Sequence, residues 1–107
     1  MKILFIILIA FIVQGCSNYR VIDMQQKNYL QFKPSEKQSV DYEFIIKNVF
    51  DVGFDGDLQS DRENLIFQVL SAECSNGVVV VNEKSIQSGT WLTGKPIRNY
   101  YSDVNCK

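Results

Sequence analysis

An unbroken apolar run at the N-terminus limits how much of the 107-residue chain can take part in a folded domain. The run extends over the eleven residues 3–13, and Lys2 precedes it as a single positive charge. As a helix it would span roughly 16 Å at about 1.5 Å per residue, which is about half of a bilayer's hydrocarbon core. It therefore has the length of a cleavable signal sequence and is too short for a stable membrane span.

The apolar run ends at Val13-Gln14-Gly15-Cys16, which resembles the bacterial lipobox. That motif has an aliphatic residue three positions before an invariant cysteine and a small residue directly before it. Gln14 departs from the Ala, Ser or Thr that is usual at the middle position. The resemblance covers residues 1–16 only. It implies cleavage after Gly15 and attachment of a diacylglycerol to the thiol of Cys16.

Lipid on Cys16 would make membrane attachment effectively permanent, because several acyl chains act together at about 0.8 kcal/mol per buried methylene. The resemblance also implies sorting to the outer membrane of a Gram-negative envelope, since Ser17 and not aspartate follows the cysteine. An ordinary signal peptide with an incidental cysteine is the alternative. We expect no cofactor apart from this covalent lipid.

Two further cysteines, Cys74 and Cys106, lie in the mature chain. Export would place them in an oxidising compartment, and with Cys16 acylated only one intramolecular pairing is available. A disulfide closing this loop would contribute roughly 3.5–4 kcal/mol in the chain-entropy model. Two buried free thiols are the alternative. We predict the disulfide, and with it an ordered C-terminal strand.

The composition argues against several kinds of chemistry. The chain has no histidine, which excludes His-based triads, Cys–His dyads and His-ligated metal sites within it. Eleven basic residues stand against twelve acidic ones, a balance that gives no field for recruiting nucleic acid. We therefore predict that the protein is not an enzyme and that it binds neither nucleic acid nor a small-molecule substrate.

The mature chain divides into a polar segment and a patterned domain. Residues 16–39 are polar and rich in glutamine, and their apolar residues show no sustained period. We predict a lipidated cysteine followed by a flexible tether of about 25–30 Å, with a short ordered piece at Tyr29–Phe32. Residues 40–107 indicate an α+β domain, a small sheet of three to four strands packed on one helix.

Apolar residues at every second position predict a half-buried strand at the start of this domain. They are Val40, Tyr42, Phe44 and Ile46, with the same parity resuming at Phe50, Val52 and Phe54. We prefer one bent strand to a hairpin at Lys47-Asn48, because that dipeptide lacks the glycine of a tight turn. Asp55-Gly56-Asp57 is typical of a turn.

A helix is predicted from about Asp61 to Cys74. Ser60 and Glu63 match a capping box at its start, and Gly77 is suited to the left-handed position after its end. The four valines 78–81 predict a fully buried strand, because β-branched side chains lose rotamer freedom in a helix. Residues 90–93 suggest a short strand, and residues 97–106 predict the last one.

Five carboxylates between residues 51 and 63 form an acidic cluster: Asp51, Asp55, Asp57, Asp61 and Glu63. An EF-hand loop starting at Asp55 would need glycine in place of Ser60 and glutamate in place of Ile66. We therefore interpret the cluster as turn formers and helix N-terminal acids, and predict no metal site. Residues 89–95 have the glycine spacing of a phosphate loop, but Pro96 stands where that motif needs a hydroxyl. No catalytic residue is predicted.

The residue types that favour interface hot spots gather late in the chain: Trp91, Arg98, Tyr100 and Tyr101. Tyr100 and Tyr101 must point to opposite faces of a strand, so we expect one of them to be exposed beside the loop Gln87–Pro96. The alternative for Trp91 is that it simply closes the core. These residues predict a lipid-anchored module that binds or supports another envelope protein. The alternative function is an inhibitor or exclusion lipoprotein that blocks an incoming enzyme or receptor with this loop.

Overall fold

The computed structural model describes residues 19–107, so the predicted signal sequence and Cys16 lie outside the described range. Within that range two helices and six strands follow one another along the chain. They are α1 (Tyr19–Gln26), β1 (Leu30–Pro34), β2 (Tyr42–Lys47), β3 (Phe50–Asp51), β4 (Phe54–Asp55), α2 (Gln59–Leu70), β5 (Val78–Thr90) and β6 (Pro96–Cys106). Neither α1 nor α2 is long and apolar enough to cross a membrane.

Four strands form an antiparallel sheet in the order β1-β2-β6-β5, and β3 and β4 form a separate two-stranded hairpin. β5 and β6 make one long hairpin whose register shifts twice, between Val80 and Asn82 and between Gln87 and Gly89. The predicted class, a small α+β fold with a helix on a sheet and one disulfide, is confirmed. The helix α1 is an addition that the sequence did not predict.

The core lies between α2 and one face of the two central strands. Phe44 and Ile46 of β2 and Val104 of β6 point to this face and are buried, as period-two alternation requires. The helix α2 covers them with three buried side chains, Leu65, Ile66 and Leu70. The predicted alternation across β2 and the predicted apolar face of α2 are therefore confirmed.

The residues predicted as a tether are largely part of the folded unit. Met24 of α1 and Leu30 of β1 are buried in the core, and β1 pairs with β2 so that Leu30 lies opposite Ile46. The tether prediction is wrong for α1, whereas β1 overlaps the short ordered piece predicted at Tyr29–Phe32. The full extent of the two elements was not visible because each buries a single side chain, which is too few to create a period.

The single bent strand predicted from residue 40 is also wrong. β2 ends at Lys47, and the chain leaves the sheet at the buried Asn48 to form the β3–β4 hairpin, which turns at Gly53 with φ +78°. Phe50 and Val52 consequently point to solvent. Of Phe50, Val52 and Phe54, only Phe54 is buried.

Two further boundaries differ from the prediction. α2 begins at Gln59 after Leu58, which makes no side-chain capping hydrogen bond, and it ends at Leu70. The capping box of Ser60 and Glu63 is therefore not formed. Instead the Asp61 carboxylate accepts a hydrogen bond from the backbone nitrogen of Asp55 at 2.9 Å, which ties the first turn of α2 to the β3–β4 hairpin.

The valine run and the residues after it also differ from expectation. β5 is an edge strand, so Val79 and Val81 are exposed and the run is not fully buried. The separate strand predicted over residues 90–93 does not form, because Thr90 is the last residue of β5 and residues 91–95 make the loop of the β5–β6 hairpin.

The predicted disulfide between Cys74 and Cys106 is confirmed, with 5.0 Å between the two Cα atoms. Gly77 adopts the predicted left-handed conformation at φ +106°, and its carbonyl accepts a hydrogen bond from the backbone nitrogen of Lys107. The turn after α2 is thus joined to the end of β6 by both a covalent bond and a hydrogen bond.

Candidate partner-binding cleft

Asn48, the buried residue after β2, connects the chain leaving the sheet to the β5–β6 hairpin. Its Oδ1 accepts hydrogen bonds from the backbone nitrogen of Arg98 at 2.8 Å and from Nε1 of Trp91 at 3.2 Å. Its Nδ2 donates to the carbonyl of Pro96 at 3.0 Å and to the carboxylate of Asp57 at 3.2 Å. These bonds fix Trp91 relative to the strand β2.

Gly56 allows the turn before α2 to press against Asn48. A Cβ atom at this position would lie 2.6 Å from the Cα of Asn48 and 2.8 Å from the carbonyl oxygen of Lys47. The Gly56 nitrogen donates to the carbonyl of Val49 at 2.8 Å, and its own carbonyl accepts from Nη1 of Arg62 at 2.9 Å. The segment 48–49 is therefore held between β6 and this turn.

A charged network lies next to this turn, between α2 and the strands β5 and β6. The buried Arg62 donates from Nη2 and Nε to the carboxylate of Glu83, at 2.6 and 3.2 Å. Its guanidinium also lies over the ring of Tyr100, 3.7 Å from the centroid. Ser102 donates to Glu83 at 2.6 Å, and the hydroxyl of Tyr100 donates to Asp57 at 2.7 Å. The networks around Asn48 and Arg62 thus share Asp57.

The network shifts the pKa of two of its groups. Burial is the largest single influence on Glu83 and acts against its ionisation. Hydrogen bonds from Arg62 and Ser102 and the charge of Arg62 together outweigh it, so the pKa of Glu83 is lowered. Burial, and next the hydrogen bond to Asp57, raises the pKa of Tyr100. At neutral pH Glu83 is thus ionised and Tyr100 protonated, a pairing that stabilises the scaffold.

The β3–β4 and β5–β6 hairpins border an open cleft of about 500 Å³, the Trp91 cleft. The half-buried Trp91 packs edge-on against Tyr29, with 6.3 Å between ring centroids. Phe50 and Leu92 line the cleft, and both are exposed. Val49 also lines the cleft, together with a polar set made up of Asn48, Asp55, Asp57, Thr93 and Lys95.

The loop that carries Leu92 is closed by its own backbone. The nitrogen of Trp91 donates to the carbonyl of Lys95 at 2.8 Å, and the nitrogen of Gly94 donates to the carbonyl of Trp91 at 2.9 Å. Gly94 has φ +90°, a conformation that costs glycine little. Leu92 is therefore presented from a hydrogen-bonded turn, with its side chain entirely in solvent.

The four predicted contact residues do not form one surface. Trp91 lies in the cleft, and Arg98 is exposed on β6. Tyr100 is half-buried in the network beneath α2, whereas Tyr101 is half-buried on the other face of the sheet, where the Nζ of Lys84 lies 5.8 Å from its ring centroid. The expectation that one of the two tyrosines would be exposed is wrong, because both rings pack beside cationic side chains.

Two apolar residues of the cleft, Phe50 and Leu92, escaped the sequence reasoning. Phe50 continued the parity of β2 and was assigned to a buried strand face. The signal that could have corrected this is Gly53, which permits a tight turn directly after Val52. Leu92 could have been found as a large aliphatic residue directly before the turn-forming pair Thr93-Gly94.

The carboxylates of the acidic cluster point to different partners. Asp51 accepts a hydrogen bond from the nitrogen of Val52, and Asp55 accepts one from the nitrogen of Asp57. In the part of the chain that the structure describes, no group of three or more His, Cys, Asp or Glu residues is arranged to hold a metal ion. The cluster therefore organises the turns between β3 and α2.

No protein-family model, curated protein or solved structure matches the chain. An indole that donates a hydrogen bond to Asn48 shares the cleft with two exposed apolar side chains, and carboxylates and Lys95 line the same cleft. Large aromatic anchors in a polar surrounding are typical of the energetic centres of protein interfaces.

Proposed function

We propose that the protein is a membrane-anchored lipoprotein of the bacterial envelope that binds another envelope protein through the Trp91 cleft. The observation that carries the proposal is the exposure of Phe50 and Leu92, which line the same cleft as Trp91. Contiguous apolar side chains on the surface of a small domain mark an interaction site. A partner that placed an apolar side chain in the cleft would cover all three residues.

The three cysteines support the proposed location of the protein in the envelope. The lipobox-like sequence that ends at Cys16 accounts for export and for membrane attachment through lipid. The disulfide between Cys74 and Cys106 fits the oxidising compartment that export would reach. The resemblance to Gram-negative lipoproteins favours the outer membrane, because serine and not aspartate follows Cys16.

Binding at this cleft would need little rearrangement. Trp91 is already held by Asn48 and by the ring of Tyr29, so a partner does not have to order it. Preorganised contact residues lower the entropic cost of association. Lys95 and Asp55 stand beside the apolar centre and could pair with polar groups of the partner.

An inhibitor or exclusion factor is the second candidate. The observation that favours it is the hydrogen-bonded loop that projects Leu92, since blocking an enzyme or a receptor requires a rigid protruding element. The two functions are distinguished by adding the purified domain to envelope hydrolases. An inhibitor slows one of them, whereas a binding module leaves all of them unaffected.

The proposal is tested by the substitution Leu92→Ser in a crosslinking pulldown from the native envelope. We expect partner capture to be lost while the melting temperature stays the same, because the side chain of Leu92 makes no contribution to the core. Ile86→Ser is the matched control, since Ile86 is an exposed aliphatic residue on the same hairpin but outside the cleft. Retention of capture by both Leu92→Ser and Trp91→Ala would refute the cleft as the binding site.

A further inference from the structure

The four most exposed large apolar side chains of residues 19–107 lie on adjoining surfaces. They are Tyr19, Phe50, Val52 and Leu92, with exposures of 69%, 77%, 89% and 109%. Phe50 and Leu92 line the Trp91 cleft, and Phe50 also lines a groove with Tyr19 on the side of α1. Apolar patches of this kind mark contacts with proteins or with membranes.

Arg20 joins the start of α1 to the tip of the β3–β4 hairpin. Its Nη2 donates to the carbonyl of Val52 at 2.8 Å, and its Nη1 lies 3.9 Å from the carboxylate of Asp51. The guanidinium also lies 5.3 Å from the ring centroid of Phe54. These contacts hold Tyr19, Phe50 and Val52 together as one surface, the α1–hairpin patch.

The length of chain between this patch and Cys16 is short. Three residue steps separate Cys16 from Tyr19, a distance of at most about 11 Å even when fully extended. Lipid on Cys16 would fix that residue at the bilayer surface. The start of α1, and the hairpin tip that Arg20 holds beside it, would then have to lie close to the lipid headgroups.

We infer that the α1–hairpin patch rests in the surface of the lipid bilayer, as a second membrane contact beside the acylated cysteine. The inference rests on the lipid anchor of the proposed function. Tyr19 is of the residue class that favours the membrane–water interface, and Phe50 is of the apolar class that inserts at the boundary of headgroups and acyl chains. Because Phe50 also lines the Trp91 cleft, the cleft opens at the membrane surface. Its partner is accordingly a protein in or on the same membrane.

The inference is tested by amide hydrogen exchange of the lipidated mature protein, reconstituted in phosphatidylcholine vesicles. The polar variant is Tyr19→Ser with Val52→Ser, which leaves every residue of the cleft intact. Ile86→Ser is the control, because β5 forms the sheet edge opposite β1, the strand that α1 contacts. Tyr19, Val52 and Ile86 are exposed, so all three proteins should melt at the same temperature.

We expect the amides of residues 50–54 to exchange about tenfold more slowly on vesicles than in the chain from Ser17 in free solution, a change of about the size expected for partial burial of one or two apolar side chains. The polar variant should lose this protection, and Ile86→Ser should keep it. Equal protection in the polar variant would overturn the inference. So would concentration-dependent protection without vesicles, which would show that a second copy of the chain covers the patch.

The two proposals can fail separately. The mass of the N-terminal peptide, measured in the same sample, reports whether Cys16 carries lipid. If it does not, the anchor of the proposed function is wrong, and the patch is tested with the chain from Ser17 mixed with vesicles. That chain retains every core residue, because these lie between Met24 and Val104. Absence of protection at saturating lipid would then overturn the patch as well.

Discussion

Arg62 and Glu83 show how single polar residues shape the interior of this small domain. Arg62 lies in α2 on the side that packs against the sheet, where it meets a carboxylate, a backbone carbonyl and an aromatic ring. Within residues 19–107 no buried side-chain nitrogen or oxygen lacks a hydrogen-bond partner. A buried network in which one polar group has lost its hydrogen-bond partner is less stable than an apolar core. Substitution of any one of these residues is therefore expected to destabilise the fold.

Glu83→Gln tests the network through its pH dependence. At pH 7 we expect a loss of about 1–2 kcal/mol in the free energy of unfolding, because charge-assisted hydrogen bonds from Arg62 and Ser102 are weakened. The lowered pKa of Glu83 means that its contribution is present above about pH 4.3, the ordinary value, and is lost as pH falls through the folded-state pKa.

The difference between Glu83→Gln and wild type should therefore shrink in urea denaturation as the pH is lowered below about 4.5. Glu36→Gln, at an exposed carboxylate in the connection between β1 and β2, is the control and should match wild type throughout. A difference that stays constant across this range of pH would show that the ionisation of Glu83 does not stabilise the fold.

Among the elements, the β3–β4 hairpin depends on the approach of Gly56 to Asn48. We expect Gly56→Ala to cost about 3 kcal/mol, because the new Cβ meets backbone atoms that have no room to move. Gly94→Ala is the control: its Cβ would meet nothing within 4 Å, and only the positive φ costs about 1 kcal/mol. Chemical denaturation compares the two variants. An equal or larger loss of unfolding free energy for Gly94→Ala would show that the close approach of Gly56 to Asn48 does not stabilise the hairpin.

The connection between α2 and β6 depends on the disulfide. Cys74→Ala should lower the free energy of unfolding by about 3–4 kcal/mol and the melting temperature by more than about 10 °C. Wild-type protein unfolded in the presence of a reductant should show the same decrease in melting temperature. Rapid alkylation of both thiols in the folded, exported protein would show instead that the bond is absent.

The elements that could be predicted from sequence are those whose patterns span many residues. β2 and β6 show alternation, and α2 shows an apolar face, so their existence followed from residues such as Phe44, Val104 and Leu65, whereas the order of the strands in the sheet did not. α1 was missed, and β1 was predicted only as a short ordered piece at Tyr29–Phe32, because each is anchored by one core side chain. The break at Asn48 was missed because it depends on side-chain bonds to β6, which are remote in sequence.

The same limit applies to the candidate site. Trp91 could be selected from its residue type, but the Trp91 cleft is made by Phe50 and Leu92, which lie more than forty residues apart and meet only through the fold. Tyr100 and Tyr101 were also selected by residue type, yet both are half-buried in the structure. Residue type identifies candidates for contact, and tertiary structure decides which of them are presented together.

For the whole molecule, Cys16→Ser tests the anchor. We expect the serine variant to retain its leader and to be lost from the fraction that depends on lipid for membrane attachment, because the hydroxyl would not receive the diacylglycerol. Cell fractionation combined with the mass of the N-terminal peptide measures both effects. A variant that was processed and recovered with membranes like wild type would show that the lipobox interpretation is wrong.

The central claim is that the protein binds another envelope protein through the Trp91 cleft at the membrane surface. The most direct test places a photo-crosslinking amino acid at position 92 of the full-length protein in living cells, with position 86 as the matched control. The account predicts one discrete adduct with an envelope protein from position 92, lost when Trp91→Ala is added, and none from position 86. Adducts of equal yield from both positions, or none from position 92, would contradict it.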